Sequence, residues 1–244
     1  MNNARDDDRD RAVEIARRNA LSWAHYVRSV YLPYLDVFSE VVLQWVAPAM
    51  SEERISAAAN ARESKAYETY PWSEYTDGSE AAELASDVGL IYYMTVRDVR
   101  WALISMAAAA LYHLVEQQVC ELARLAFFGP DGRPLTPGTS VDLFERLGVK
   151  LRDFAAWQQI EELRHLANCV KHAEGNSCAQ LRRARPDLFE KPTVGETLRA
   201  GRAQVRNPLM GDDIYVTVES FDAYVCTVRL FFKQLAHDLE QVGS

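Results

Sequence analysis

One short stretch of the chain gathers the residue types that can cleave a phosphodiester bond. In ELRHLANCVKHAEG, residues 162–175, Arg164, Asn168 and His172 are spaced four apart. Successive helical residues turn by about 100°, so in a helix these three side chains form one slowly winding stripe. Histidine can move a proton near neutral pH, and arginine can hold a phosphate through two parallel hydrogen bonds. With asparagine to orient the imidazole, the stripe indicates metal-independent cleavage of an RNA phosphodiester by its own 2′-hydroxyl.

The same residues also fit a purely structural role at the end of a helix. Lys171 and His172 fall in the last predicted turn, where cations stabilise the negative end of the helix dipole. Arg164 can pair with Glu161, and Asn168 can satisfy a buried backbone group. The residue types alone therefore leave a catalytic and a structural interpretation open.

The segment resembles the signature helix of HEPN domains (higher eukaryotes and prokaryotes nucleotide-binding). Members of that family are helical bundles that usually dimerise. Their paired signature helices form one metal-independent ribonuclease site, often in toxin or anti-phage defence systems. On this resemblance Arg164 matches the family arginine, His165 the polar residue beside it, and His172 the family histidine. Asn168 and Lys171 resemble additional polar positions of some branches. The family usually places four to six residues between arginine and histidine, whereas this chain has seven, which an ideal helix separates by about 80° and about 12 Å.

The resemblance covers the helical layout of residues 84–240, and its specific part is the nine residues of the motif. It implies that Arg164 holds the scissile phosphate, that His172 acts as general acid or base, and that Asn168 orients it. We also expect RNA contacts from the segment 186–213 and from four further side chains: His165, Lys171, Arg182 and Arg183.

Charge is distributed unevenly along the chain. The formal net charge is −8, which argues against avid nonspecific binding to nucleic acid. Residues 1–89 hold nine Lys and Arg against sixteen Asp and Glu, whereas residues 164–206 hold nine against four. A polyanion would be drawn to this second region, which begins at the motif. An ordinary solvated loop would carry the same charges, so composition leaves both interpretations open.

The motifs predict neither a cofactor nor a metal. Glu162 and His165 have the ExxH spacing of di-iron bundles, but the chain has no second ExxH. Phosphate-binding glycine loops, HExxH and GxSxG are absent as well. The four cysteines form no CxxC pair, which predicts reduced, mostly buried thiols in a cytoplasmic protein. No apolar run reaches the ~18 residues of a membrane span, and the charged N-terminus lacks the apolar centre of a secretory signal.

Apolar spacing predicts helices along most of the chain. The periodic residues 8–30 and the apolar run 34–46 flank Pro33, which is expected to interrupt or kink a helix. Ser51, followed by two glutamates, predicts the start of a helix that runs to Tyr67. A loop is expected at 70–79, followed by a long helix at 80–128 that is buried from Leu90 onward and by a break at 129–140. Thr139 is expected to begin a short helix, and Gly175 to end the motif helix at 151–174. The remaining expected elements are a brief helix before Pro186, a strand at 213–218 and a final helix from Ser220.

Together these elements predict an all-α fold, a helical bundle with a long central antiparallel hairpin and one minor strand. We expect residues 1–79 to be an N-terminal helical segment that packs on the HEPN-like bundle of residues 80–244. The resemblance further implies a homodimer, RNA as substrate, and a cognate antitoxin or regulatory protein as partner. The competing hypothesis is a non-catalytic bundle that mediates protein–protein or nucleotide binding.

Overall fold

A computed structural model describes residues 3–72, 77–190, 205, 208–210 and 213–244. The fold is 84% helical, with no strand among the described residues, which confirms the all-α prediction. The α-helices are α1 (Asn3–Arg18), α2 (Ala20–Tyr26), α3 (Leu32–Glu40), α4 (Ala47–Ala49), α5 (Glu52–Glu68), α6 (Gly78–Phe128), α7 (Pro137–Leu147), α8 (Trp157–His172), α9 (Asn176–Ala184) and α10 (Val218–Gly243).

The strand predicted at residues 213–218 is wrong. Ile214, Tyr215 and Val216 are all buried, so this extended segment does not alternate between a core face and a solvent face. Its backbone is held by Tyr215, whose N–H donates to the carbonyl of Leu188 at 2.8 Å. Helix α10 already begins at Val218. The segment is therefore a buried connection whose backbone bonds to the 3₁₀ turn Pro186–Phe189 and not to a neighbouring strand.

The helix does not break at Pro33. Two π-helical segments, Val27–Tyr31 and Val41–Val46, link α2, α3 and α4. Proline lacks the N–H that a helix interior needs. Immediately before it, the N–H of Leu32 donates to the carbonyl of Val27, five residues back. The turn widens in front of Pro33 instead of ending the helix.

Helix starts follow side-chain caps, although not always the expected ones. Ser51 caps α5 as predicted, because its hydroxyl accepts the N–H of Arg54 at 3.4 Å. Helix α7 is capped by Thr136, which accepts the N–H of Thr139 at 3.3 Å, so it starts before the predicted cap. The motif helix α8 starts at Trp157, after a short 3₁₀ turn at Leu151–Asp153.

The chain forms two compact units, each made of separated segments. The first unit contains Met1–Glu40, Ala108–Asn168 and Glu219–Ser244. Its core is aromatic: Phe231 lies 5.6 Å from Phe232 and 5.5 Å from Phe154 between ring centroids. Its fully buried side chains include Leu35, Leu111, Leu122, Phe144, Leu163 and Leu166.

The second unit contains Val41–Ala107 and Cys169–Val218. Trp101 and Tyr215 pack edge to face there, with ring centroids 5.0 Å apart. The first half of α6 belongs to this unit, and several of its large apolar residues are exposed, among them Leu90 at 54% and Ile91 at 65%. The expectation that α6 is buried from Leu90 onward is therefore wrong for this half. The division at residues 79/80 stays a prediction.

Candidate functional site

A cavity of about 360 Å³ lies in the first unit and is bordered by Arg164 of the motif. Such a volume falls in the ~300–1,000 Å³ range of small-molecule sites. Its walls come from α6, α7, α8, α10 and the 3₁₀ turn. The apolar wall consists of Val115, Val119, Pro137, Gly138, Val141, Leu151, Ile160 and Phe231. The polar and aromatic lining consists of Tyr112, Glu116, Arg152, Trp157, Glu161 and Arg164.

Arg164 is held by the carboxylate one turn before it. Its Nε and Nη2 donate to Oε2 of Glu161 at 3.1 and 2.7 Å. The two side chains are 38% and 35% exposed, so water reaches both partners of this ion pair. Pairs this exposed contribute ~0.2–1 kcal/mol. A phosphate can therefore compete for the guanidinium without a large loss of stability.

Helix α6 contributes a second carboxylate to the lining, Glu116, which has two partners. The hydroxyl of Tyr112 donates to Oε1 of Glu116 at 3.2 Å, and Nδ1 of His113 lies 3.3 Å from Oε2. Burial raises the pKa of Tyr112 above its ordinary value, Glu116 adds to the rise, and nearby Arg164 opposes it. The phenol is therefore neutral at physiological pH and acts as a hydrogen-bond donor.

The rest of the motif lies along the same helix but outside the cavity lining. Asn168 is half-buried, whereas Lys171 and His172 are exposed at the C-terminal end of α8. Neither Asn168 nor His172 is among the residues that border the cavity in the described part of the chain. Arg164, Asn168 and His172 thus share one continuous helix, and the structure brings only the first of them into the cavity.

His165 sits beside Arg164 and is half-buried. Its Nδ1 is buried without a hydrogen-bond partner among the described residues. Burial lowers the pKa of His165 below its usual value, and the positive charge of Arg164 lowers it further, against a smaller opposite effect of Glu161. The ring is neutral at physiological pH, so any RNA contact it makes is a hydrogen bond and not an ion pair.

The two arginines predicted to bind RNA, Arg182 and Arg183, differ in their side-chain contacts and in their exposure. Arg182 donates from Nη2 to Glu174 at 3.0 Å and stacks over Phe189, 4.7 Å from the ring centroid. Glu174 also accepts the N–H of Val205 at 2.6 Å. Arg182 therefore connects parts of the second unit, whereas Arg183 is exposed. Most of the predicted RNA-contacting segment 186–213 lies outside the described residues.

The residues that the structure describes do not form a set of ligands for a di-iron site. No group of three or more His, Cys, Asp or Glu is placed there to hold a metal ion. Glu162, the acid of the ExxH spacing, accepts a hydrogen bond of 2.6 Å from the hydroxyl of Tyr224. All four cysteines are free, with Cys169 and Cys178 buried, Cys120 half-buried and Cys226 exposed. Within the described ranges, no helix has the length and apolar character needed to cross a membrane.

Comparison with known proteins returns no family model, no curated protein and no solved structure that matches this chain. The HEPN resemblance thus continues to rest on the motif residues.

The predicted pairing of Arg164 with Glu161 is confirmed, whereas the other residues around Arg164 were not predicted. Trp157 lies seven residues before Arg164 on α8, a spacing that places both on one face of a helix. This spacing can be read from the sequence. Tyr112 and Glu116 come from a distant part of the chain, and no local pattern pairs them with α8.

Proposed function

We propose that this chain is a HEPN-like helical bundle that cleaves RNA without a metal, as a toxin or an anti-phage defence effector. In this proposal Arg164 holds the scissile phosphate, His172 transfers protons and Asn168 orients the imidazole. Lys171 and Arg183, both exposed, attract the RNA backbone.

One observation carries the proposal. Arg164, Asn168 and His172 occupy the continuous helix α8, and none of their three side chains is buried. A fully buried arginine or histidine could not contact an RNA strand. Among the described residues, the ion-pair partner of Arg164 is a solvent-reachable carboxylate, so a phosphate oxygen can replace it and gain two parallel hydrogen bonds.

The reaction needs one proton acceptor and one proton donor. The RNA 2′-oxygen forms a bond to phosphorus while the bond from phosphorus to the 5′-oxygen breaks. One imidazole takes the 2′-hydroxyl proton, and a second imidazolium gives a proton to the departing 5′-oxygen. The products are a 2′,3′-cyclic phosphate and a 5′-hydroxyl. A homodimer supplies His172 twice, once for each role, and two guanidiniums for the phosphate charge that grows in the transition state.

The test is cleavage of single-stranded RNA by the purified chain in excess chelator. We expect His172→Ala to slow cleavage by about 10²–10⁴, the usual contribution of a general acid or base. Arg164→Met should slow it as well, because the growing charge on phosphate then lacks its partner. His237→Ala and Arg146→Met are matched controls, since both residues are exposed and lie on α10 and α7.

Two results would contradict the proposal that this chain is a ribonuclease. Equal cleavage by wild type and His172→Ala would place the activity elsewhere or in a contaminant. A clean 27.6 kDa monomer in light scattering at micromolar concentration, together with full activity, would remove the paired-histidine mechanism. In cells, overexpression of wild type should arrest growth, whereas His172→Ala should not.

The second candidate function is non-catalytic binding of a nucleotide or a partner protein. It is favoured by the cavity, which includes Arg164 in its lining but neither Asn168 nor His172. If wild type and His172→Ala behave alike while nucleotides bind to both, this candidate replaces the first.

A further inference from the structure

We propose that the cavity of the first unit receives a guanine base of the RNA strand, next to the phosphate that Arg164 holds. This inference rests on the proposed function and adds a base preference to it. It follows from three properties of the cavity, namely its size, its aromatic and apolar walls, and the hydrogen-bonding state of its two carboxylates.

The walls suit a flat aromatic ring. Val115, Val119 and Ile160 give the lining an apolar part, and the half-buried Trp157 adds an aromatic ring to it. Proteins that read single-stranded RNA turn bases out of the strand and stack them on aromatic side chains. Trp157 lies seven residues before Arg164, about two turns along α8. A base against the indole and a phosphate at the guanidinium can therefore belong to one stretch of RNA.

The carboxylates favour guanine over the other bases. Glu161 uses Oε2 for Arg164, whereas its Oε1 has no hydrogen-bond partner among the described residues. When a phosphate replaces Glu161 at the guanidinium, both oxygens of this carboxylate can accept hydrogen bonds from a base. Glu116 already has a partner at each oxygen. A carboxylate only accepts hydrogen bonds, and guanine alone presents two adjacent donors, N1–H and an N2 amino hydrogen. Adenine and cytosine offer one amino group beside an acceptor nitrogen. Uracil offers one N–H between two carbonyls, which a carboxylate repels.

Calorimetric titration with GMP, AMP and UMP tests the pocket without any need for cleavage. Wild type should bind GMP at least tenfold more tightly than AMP or UMP, the order of discrimination given by a two-bond base contact. Glu161→Gln should abolish this preference. Because that change also frees Arg164 for phosphate, affinity for AMP should not fall. Glu83→Gln is the matched control and should keep the preference, because Glu83 is exposed and belongs to the other unit.

Stacking is tested with Trp157→Leu, which should weaken GMP binding roughly tenfold. Trp45→Leu is the control, since Trp45 is 66% exposed and belongs to the other unit. Equal affinities of wild type for the three nucleotides, or an unchanged GMP preference in Glu161→Gln, would overturn the guanine assignment. Circular dichroism of each variant shows whether a loss of binding comes from unfolding.

Cleavage of oligouridine with a single internal G or A separates this inference from the proposed function. Both stand if GMP is preferred and the strand is cut at least tenfold faster beside G. If GMP is preferred but no RNA is cut, the pocket binds a free guanine nucleotide and the ribonuclease proposal fails. If RNA is cut regardless of base and GMP is not preferred, the ribonuclease stands and the guanine pocket is wrong.

Discussion

Among single side chains, Arg164 combines a proposed role in phosphate binding with a position where replacement is tolerated. Its ion pair with Glu161 is more than one-third exposed on both sides, so removing it should change the free energy of unfolding by ~1 kcal/mol or less. A folded but inactive Arg164→Met variant is therefore obtainable. Changes at the nearby core residues Leu163 and Leu166 would not allow that separation, because both are fully buried and truncation there costs ~2–5 kcal/mol.

His165 should make stability depend on pH. Its folded-state pKa is lowered by burial, so the unfolded chain binds a proton more readily. Stability is therefore intact above the unfolded pKa of about 6.5 and falls as the pH drops below it. We expect wild type to lose more stability than His165→Gln between about pH 7.5 and pH 5.5, measured by urea denaturation at both pH values. His237→Gln, an exposed control, should follow wild type. Parallel curves for wild type and His165→Gln would contradict the prediction.

Among the elements, α8 ends in an unusual way. Gly175 was expected to stop the helix, yet α8 ends at His172 and Ala173 takes the left-handed conformation, with φ of 59°. The N–H of Ala173 donates to the carbonyl of Cys169 at 2.9 Å, which closes the last turn. This bond holds an alanine where glycine is usually found. The sequence placed the stop two residues late because it has no glycine at the true position.

Ala173→Gly should therefore stabilise the protein. A side chain in the left-handed region costs ~1–2 kcal/mol, and glycine removes that cost while adding some backbone entropy to the unfolded state. We expect a net gain of about 1 kcal/mol by chemical denaturation. Ala179→Gly is the matched control, because Ala179 lies inside α9, where glycine costs about 1 kcal/mol. A loss of stability in both variants would mean that Ala173 is not left-handed in solution.

Local signals predicted the helices well and the connections poorly. Ser51 was identified as a cap because a hydroxyl directly before two acids is typical of a helix start. The predicted cap Thr139 is wrong because Pro137, directly after Thr136, fits the first helical position, so α7 has already begun before Thr139. Pro33 did not break its helix because the π-helical turn before it accommodates the missing donor. The cavity was not predicted, because Tyr112 of α6 and Trp157 of α8 come to line one cavity only through tertiary packing.

For the molecule as a whole, both compact units draw on the first 79 residues. In the first unit the hydroxyl of Tyr31 donates to the carbonyl of Gln118 at 3.0 Å, and its ring lies 5.5 Å from that of Phe232. Leu35 is fully buried in the same unit. In the second unit Ile55 and Ala59 of α5 are buried. Residues 1–79 thus supply core side chains as well as surface.

A fragment of residues 80–244 should consequently fail to fold by itself. Each large apolar side chain that loses its burial forfeits ~1.5–3 kcal/mol, so losing Tyr31, Leu35 and Ile55 together removes a sum comparable to the ~5–15 kcal/mol stability of a typical domain. We expect the fragment to keep helical far-UV circular dichroism, lose its near-UV signal and bind a hydrophobic dye. Residues 1–79 supplied as a second polypeptide should restore the near-UV signal. Cooperative unfolding of the fragment alone, at a denaturant midpoint near that of the full chain, would contradict this prediction and show that residues 80–244 fold independently.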